Sequence, residues 1–373
     1  MISFGWAIPA LLIWVIVLIL PWRPWSTRER LEADAECIGD VLDDVTVLIP
    51  ARDEAAVIAK TLASLATQGP GLDILIVDDQ SSDGTGEIAK QSGIAGLRVI
   101  SGASLPEGWT GKVWAQAQAQ TYLNRRLVLL LDADVALSPG MIATLRRELH
   151  ERKLGLASLM AELSMAGFWE RALLPAFVYF FKLIYPFHIA NSPSKRIAAA
   201  AGGCVLLETR ALDAIGGFAS LRDTIIDDCT LARRVKDAGY RTWIGLTRSV
   251  TSHRRYRGLG DIWRMVARTA FTQLRYSWWL LGLCTLLMGV IFLSPVLVSF
   301  SSEPYARTIA LGAWFTMWLT YLPTLRYYHI PAIWGLLLPF IGMFFLAMTW
   351  DSAWRFLNGE RSAWRGRRYS TGA

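Results

Sequence analysis

Four uninterrupted apolar runs sit near the two ends of this chain, with a long polar region between them. Residues 4–20 (FGWAIPALLIWVIVLIL) and 278–300 (WWLLGLCTLLMGVIFLSPVLVSF) carry no charged side chain, and two more such runs follow at 308–325 and 330–350. About 20 apolar residues are what an α-helix needs to cross a hydrocarbon core. An apolar share of 53% over 373 residues requires either an unusually large core or a bilayer, and the runs point to the bilayer.

The first run has no basic stretch before it and is followed by PWRPWSTRER rather than a small-residue cleavage site, so residues 1–22 read as a retained transmembrane anchor. Arg23, Arg28 and Arg30 place its trailing end, and the polar region beyond, on the cytoplasmic side. If all three later runs crossed, the basic tail (351–373) would end outside, against the same rule. One run, 330–350 with Pro331 and Pro339, is therefore expected to be re-entrant or interfacial. The net charge of +7 lies largely beside the apolar runs, in RRYRG (254–258) and WRGRRY (364–369). Anionic lipid headgroups are the partner this suggests, and nucleic acid is not. Cys37, Cys204, Cys229 and Cys284 form no CxxC pair, which argues against a disulfide framework or a zinc site.

After a linker (23–44), the polar region alternates β-rich runs with amphipathic stretches, the signature of an α/β domain. VTVLIPA (45–51), DILIVDD (73–79), LRVIS (97–101) and RLVLLLDAD (126–134) predict the strands of a mostly parallel, Rossmann-like mixed sheet. In such sheets ligands bind beyond the carboxyl ends of the strands, where Asp78, Asp79, Asp132 and Asp134 all fall. The aromatic stretch 168–190, interrupted by Glu170, Arg171, Lys182 and two prolines, predicts an interfacial helix on the membrane, with a buried core helix as the alternative.

Asp132 and Asp134 close a strongly apolar strand, so each charge there needs a partner. A divalent metal supplies one, because Mg²⁺ or Mn²⁺ takes one or two carboxylates and completes its shell with phosphate oxygens. VDDQSSDGT (77–85) ends a second strand in paired acids, whose acceptors suit the NH edge of a base or a ribose hydroxyl. IIDDC (225–229) pairs Asp227 and Asp228 ahead of a helical LARRVKDAG. Capping explains one acid there, not two.

VLIPARDEAAVI, VDDQSSDGT, GWTGKVWA, LLLDADV, GGCVLLETRALDAIGGF and DTIIDDCTLARRVKDAG occur in the order and rough spacing of a family 2 inverting glycosyltransferase with the GT-A fold, which the chain resembles over about residues 45–265. Within that family it is most similar to the ceramide glucosyltransferase-like branch and to the bacterial hopene-associated glycosyltransferases. The resemblance implies that Glu54, Asp78 and Asp79 hold the nucleotide, and that Lys112 stands beside the nucleotide-sugar. It implies that Asp132 and Asp134 bind metal and diphosphate, and that Asp228 is the general base, with Asp227 in the place of the usual glutamate. His253, in TSHRRYRG, matches a third metal ligand of some GT-A enzymes. Gln273, Arg275 and Tyr276 (QLRY) stand where processive members carry QxxRW, so Arg275 is expected to reach the diphosphate without a polymer-threading site.

Taken together, the expectation is a multi-pass protein of the bacterial inner membrane. Its cytoplasmic GT-A domain (45–265) would lead through a juxtamembrane segment (266–277) into transmembrane or re-entrant helices (278–350). It would transfer one sugar from a nucleotide-sugar, a UDP-sugar, to a lipid hydroxyl of hopanoid type. A displaced nucleoside diphosphate needs its charge neutralised, by metal and Lys112, and the acceptor needs a base on the opposite face. Two alternatives remain: transfer to a polyprenyl phosphate, which needs no base, and a non-catalytic lipid-binding scaffold.

Overall fold

A computed structural model of the chain describes residues 2–364 and 367–370, with side chains over 5–360. The runs expected to be strands are strands: β1 (Val45–Ala51), β2 (Asp73–Asp78), β3 (Leu97–Ser101) and β4 (Leu127–Leu131). All of their mutual pairings are parallel, with Leu48 opposite both Leu75 and Leu130. β5 (Val135–Leu137), β6 (Leu156–Glu162), β7 (Cys204–Glu208) and β8 (Thr242–Ser252) complete one sheet of order β3-β2-β1-β4-β7-β6-β8-β5. β7 runs antiparallel to β4 and β6, and β5 antiparallel to β8, while β6 and β8 are parallel. The sheet is thus parallel on one side and mixed on the other. CVLLE is buried throughout, and a run apolar on both faces does not encode its direction.

Successive residues of the central strands serve opposite faces. Val47, Ile49 and Leu129 pack into one core, and Leu48, Leu75 and Leu130 into another. The segment 23–44 lies on this domain rather than hanging from it: Leu31 N–H donates to the Leu246 carbonyl (3.0 Å), and Glu32 accepts from the N–H groups of Arg248 (2.9 Å) and Ser249 (3.0 Å).

The apolar runs are helices over Ile2–Ile19, Trp278–Ser299 (with a π turn at Gly289–Leu293), Pro304–Tyr327 and Ala332–Leu357. Two of them, Trp278–Ser299 and Ala332–Leu357, are long and apolar enough to cross a membrane. The last contains no break. Pro331 precedes its opening 3-10 turn and Pro339 stands in the first turn of the α-helix Leu338–Leu357, where a missing N–H costs no intrahelical bond. The prolines therefore start this helix instead of folding it back. It nonetheless contacts helices of the sheet domain along its length. Trp334 meets Phe168 (5.3 Å between rings), Phe345 meets Phe180 (4.9 Å), Asp351 accepts from Trp263 Nε1 (2.7 Å), and Ser352 Oγ accepts from Phe271 N–H (3.1 Å).

The stretch 168–190 forms the helix Phe168–Ile184 and the turn Phe187–Ala190. It is packed among Trp14, Tyr321 and Phe345, and its exposed large apolar residues are Phe168 and Ile184 at the two ends. Two of the three charges that interrupt it, Glu170 and Lys182, are internal, and Arg171 is exposed. Glu170 accepts from the N–H groups of Gly167 (2.8 Å) and Tyr256 (2.9 Å), and Lys182 donates to the Trp25 carbonyl (3.4 Å). At the carboxyl end, β9 (Glu360–Trp364) pairs antiparallel with β10 (Arg367–Ser370). Residues 365 and 366 of WRGRRY, and all of its side chains, lie outside the described residues.

Candidate active site

β4 delivers Asp132 and Asp134 to the carboxyl edge of the parallel strands, and the helix Gly111–Ala119 aims Lys112 at the same point from its first turn. Lys112 Nζ lies 2.7 Å from Asp132 Oδ1 and 3.8 Å from Asp227 Oδ2, and donates to the Gly202 carbonyl (3.2 Å). Burial pulls its pKa down, but Asp132, Asp227 and Asp228 together hold it above the ordinary lysine value. The ammonium stays charged and joins the strand-end acid to the helix-start acids, residues far apart in sequence.

Asp227 and Asp228 open the helix Asp227–Asp237. The Asp228 carboxylate accepts from Cys229 N–H (2.7 Å) and Gly202 N–H (2.8 Å). A Cβ on Gly202 would stand 3.2 Å from Asp228 Oδ2 and 3.3 Å from Lys112 Nζ. The close backbone approach that the GG pair permits is therefore to these two side chains. Burial, and after it the charge of Asp227, raise the Asp228 pKa to about 6, against Lys112 and the two N–H donors. A carboxylate so tuned is ionised at neutral pH and basic enough to take a proton, which is what general-base catalysis needs.

Asp134 is buried and accepts from Ser252 Oγ (3.1 Å), and its carbonyl takes the His253 N–H (2.7 Å). Burial and then Lys60 hold the His253 imidazole below its usual pKa, against Asp134, so it is neutral at pH 7, the form that binds metals. Arg254 Nε lies 3.8 Å from Asp134 Oδ2. Its pKa is raised despite burial, the largest influence, because Asp134, Tyr256, Glu54 and Asp132 surround it. Sequence reasoning missed Arg254 by giving the whole of RRYRG to lipid headgroups. No sequence signal marked it, because its place follows from the pairing of Ser252 with Val135.

The donor set fits a hard divalent cation, with Asp132 and Asp134 as oxygen ligands one residue apart. Among the described residues no three acid, histidine or cysteine side chains converge as a finished cage. Such a cation would complete its shell with diphosphate oxygens, as Mg²⁺ commonly does.

Glu54, Asp78 and Asp79 lie at the ends of β1 and β2, in two loops stitched together. Glu54 N–H donates to Thr85 Oγ1 (2.8 Å), Ser82 N–H to Asp53 Oδ1 (2.8 Å), and Ser81 N–H to Asp78 Oδ1 (3.1 Å). Gly86 leaves room for the Asp78 carboxylate, whose Oδ2 is 2.4 Å from where a Cβ would be. Asp79 is fully buried. The electrostatic influence of Glu54 on Arg254 connects this group with the Asp132–Asp134 edge. Arg275 is exposed, at positive φ (52°), and among the described residues it forms no ion pair with these acids.

A family model described as glycosyltransferase like family 2 matches residues 43–271, which contain every acid of this cluster. The 4,4'-diaponeurosporenoate glycosyltransferase of Staphylococcus haemolyticus is 31% identical over 121 residues, 32% of this chain and 32% of that relative. An uncharacterized protein of Methanocaldococcus jannaschii, MJ1222, is 33% identical over 92 residues, 25% of this chain and 36% of its own. These matches span about a third of the length of the curated relatives. Among solved structures, the mannosyltransferase PcManGT from Pyrobaculum calidifontis, in complex with GDP-Man and Mn2+, superposes with a TM-score of 0.55 over 95% of this chain and 96% of that one. At 16% identity that likeness is one of fold, and it is the α/β GT-A fold. By the family match over its sheet domain, the chain belongs to glycosyltransferase family 2.

Proposed function

We propose that this protein moves a single sugar from a nucleotide-sugar, a UDP-sugar in our reading, onto a hydroxyl of a membrane lipid, with inversion at the sugar carbon. The observation that carries the reading is the Lys112 bridge between Asp132 and Asp227 (2.7 and 3.8 Å). Lys112 gathers Asp132, Asp227 and Asp228 around one ammonium, which supports a reading in which a diphosphate-binding edge adjoins the base Asp228. When bound, a Mg²⁺ or Mn²⁺ ion would neutralise charge on the departing diphosphate, held there by Asp132 and Asp134 with His253 beside them. Lys112 and Arg254 add fixed positive charge to that side. Glu54, Asp78 and Asp79 hold the nucleoside, and Asp228 takes the acceptor proton while Asp227 supports it. With one base and no covalent nucleophile, a single displacement follows.

A lipid acceptor is supported by the two membrane-length helices of the chain and by the staphylococcal relatives, whose name gives an apolar acid as acceptor. Within that class we favour a hopanoid-type polycyclic alcohol, from the motif resemblance. The helix Ala332–Leu357, held against the sheet domain from Trp334 to Ser352, would lie along the cytoplasmic face of a bacterial inner membrane. The relatives' acid acceptor also supports a second reading, transfer to a lipid carboxylate, for which Asp228 is dispensable. The test is transfer of label from a panel of radiolabelled UDP- and GDP-sugars into total membrane lipid by the purified full chain, with Mn²⁺ and with chelator. Metal-dependent labelling of a neutral lipid is expected. Labelling of a carboxylate ester alone would select the second reading, and no labelling despite nucleotide binding would overturn both.

A further inference from the structure

Tyr185 lies just beyond the helix Phe168–Ile184, and its hydroxyl donates to Gln273 Oε1 at 2.8 Å. Gln273 ends the short helix Ala270–Gln273, which is fixed to the last apolar helix through Phe271 N–H and Ser352 Oγ (3.1 Å) and through the stacked rings of Tyr276 and Phe356 (4.6 Å). Cys229, whose backbone N–H donates to Asp228 Oδ1 at 2.7 Å, lies near enough to the same phenol to act on it electrostatically, as does Asp228 itself. One phenol thus stands in the neighbourhood of the base and is bonded to the segment that leads into the apolar helices. Burial above all keeps it protonated, with its pKa pushed up to about 12, so it is a hydrogen-bonding group and not a second base. A phenolic oxygen has one proton and two lone pairs. Here the proton is committed to Gln273 and the Cys229 thiol donates to the Ala200 carbonyl (3.5 Å), which leaves the phenol's acceptor capacity for another group.

We propose that Tyr185, oriented by Gln273, is a positioning residue for the acceptor: it accepts a hydrogen bond from the polar end of an alcohol arriving along the apolar helices and sets it beside Asp228. This deepens the proposed function and rests on it. The pair would set how well the lipid alcohol is held and would leave nucleotide binding alone, because the donor side is built on β1, β2 and β4.

The test uses the full chain in detergent, with the radiolabelled nucleotide-sugar that the wild type accepts, total membrane-lipid extract as acceptor, and Y185F, Q273L and the double variant. Loss of one neutral hydrogen bond corresponds to about a three- to tenfold change, so the lipid concentration for half-maximal transfer is expected to rise by about that factor in each single variant. The nucleotide dissociation constant should stay within about twofold. The double variant should be no worse than the poorer single one, because the two side chains act through one contact. An unchanged half-saturating lipid concentration in both single variants would overturn the proposal. So would a parallel loss of nucleotide affinity, which marks a purely structural bond. Failure of the wild type itself to label any lipid would strike the underlying reading instead, before any variant is compared.

Discussion

Asp228 carries the chemical argument, and its environment makes its behaviour testable. Because burial and Asp227 raise its pKa to about 6, and the base acts in its ionised form, kcat should fall about tenfold per pH unit below about pH 6 and level off above it. A pH–rate profile under saturating substrates checks this; a flat profile down to pH 5 would remove the base from Asp228. Gly202→Ala tests the packing of the same group. The new methyl would press on Asp228 Oδ2 and Lys112 Nζ, at 3.2 and 3.3 Å, and small misplacements of reacting groups cost about a hundredfold. Transfer should drop about ten- to hundredfold, with thermal stability little changed. At this scale the sequence was readable where chemistry shows as a pattern, as in the acids of LLLDADV and IIDDC and in Lys112. Arg254 and Tyr185 were not readable, because each joins the site through an ion pair or hydrogen bond to a residue distant in sequence.

Strands β1 to β4 were legible because their apolar runs end abruptly in acids and turns. The antiparallel insertion of β7 was not, since a run buried on both faces reads alike in either direction. Pro339 shows the same limit for helices: one proline breaks a helix interior and starts a first turn, and only the boundary, itself set by packing, tells which. The helix Phe168–Ile184 yields its own prediction through Lys182. It is 1% exposed with the Trp25 carbonyl as its hydrogen-bond partner, and burial lowers its pKa to about 7 despite Glu29. Below about pH 7 it is charged in both folded and unfolded chains, so the full cost of burying the charge is present. Between about 7 and the unfolded value of 10.5 the folded chain releases the proton first, and stability rises with pH. Lys182→Met should therefore stabilise by about 1–4 kcal/mol, most below pH 7 and progressively less toward pH 10. Thermal unfolding in detergent at pH 6 and pH 9 measures it, and equal shifts at both would contradict a titrating lysine.

For the molecule as a whole, the parts that differ most in composition are tied together by specific polar contacts. Trp263 and Phe271 tie the sheet domain to the last apolar helix, while Trp25 and Glu32 tie the first helix and its trailing segment to the Phe168–Ile184 helix and to β8. If the Ala332–Leu357 helix lies along the membrane face, as we propose, the tail ends on the same side as the sheet domain. A tag after residue 373 should then be cleaved by protease in sealed inside-out vesicles, and protection of the tag would place the tail across the bilayer. One assay asks whether Asp134 belongs to a metal–diphosphate clamp and Asp228 is the base, as we propose. Lipid labelling from the accepted nucleotide-sugar is compared for wild type, D134A and D228N, with nucleotide binding measured alongside with and without Mn²⁺. Labelling should be lost in both variants, by about a hundredfold or more, with Mn²⁺-dependent nucleotide binding lost only in D134A. Full labelling by D228N, or unchanged Mn²⁺-dependent binding in D134A, would contradict the proposal.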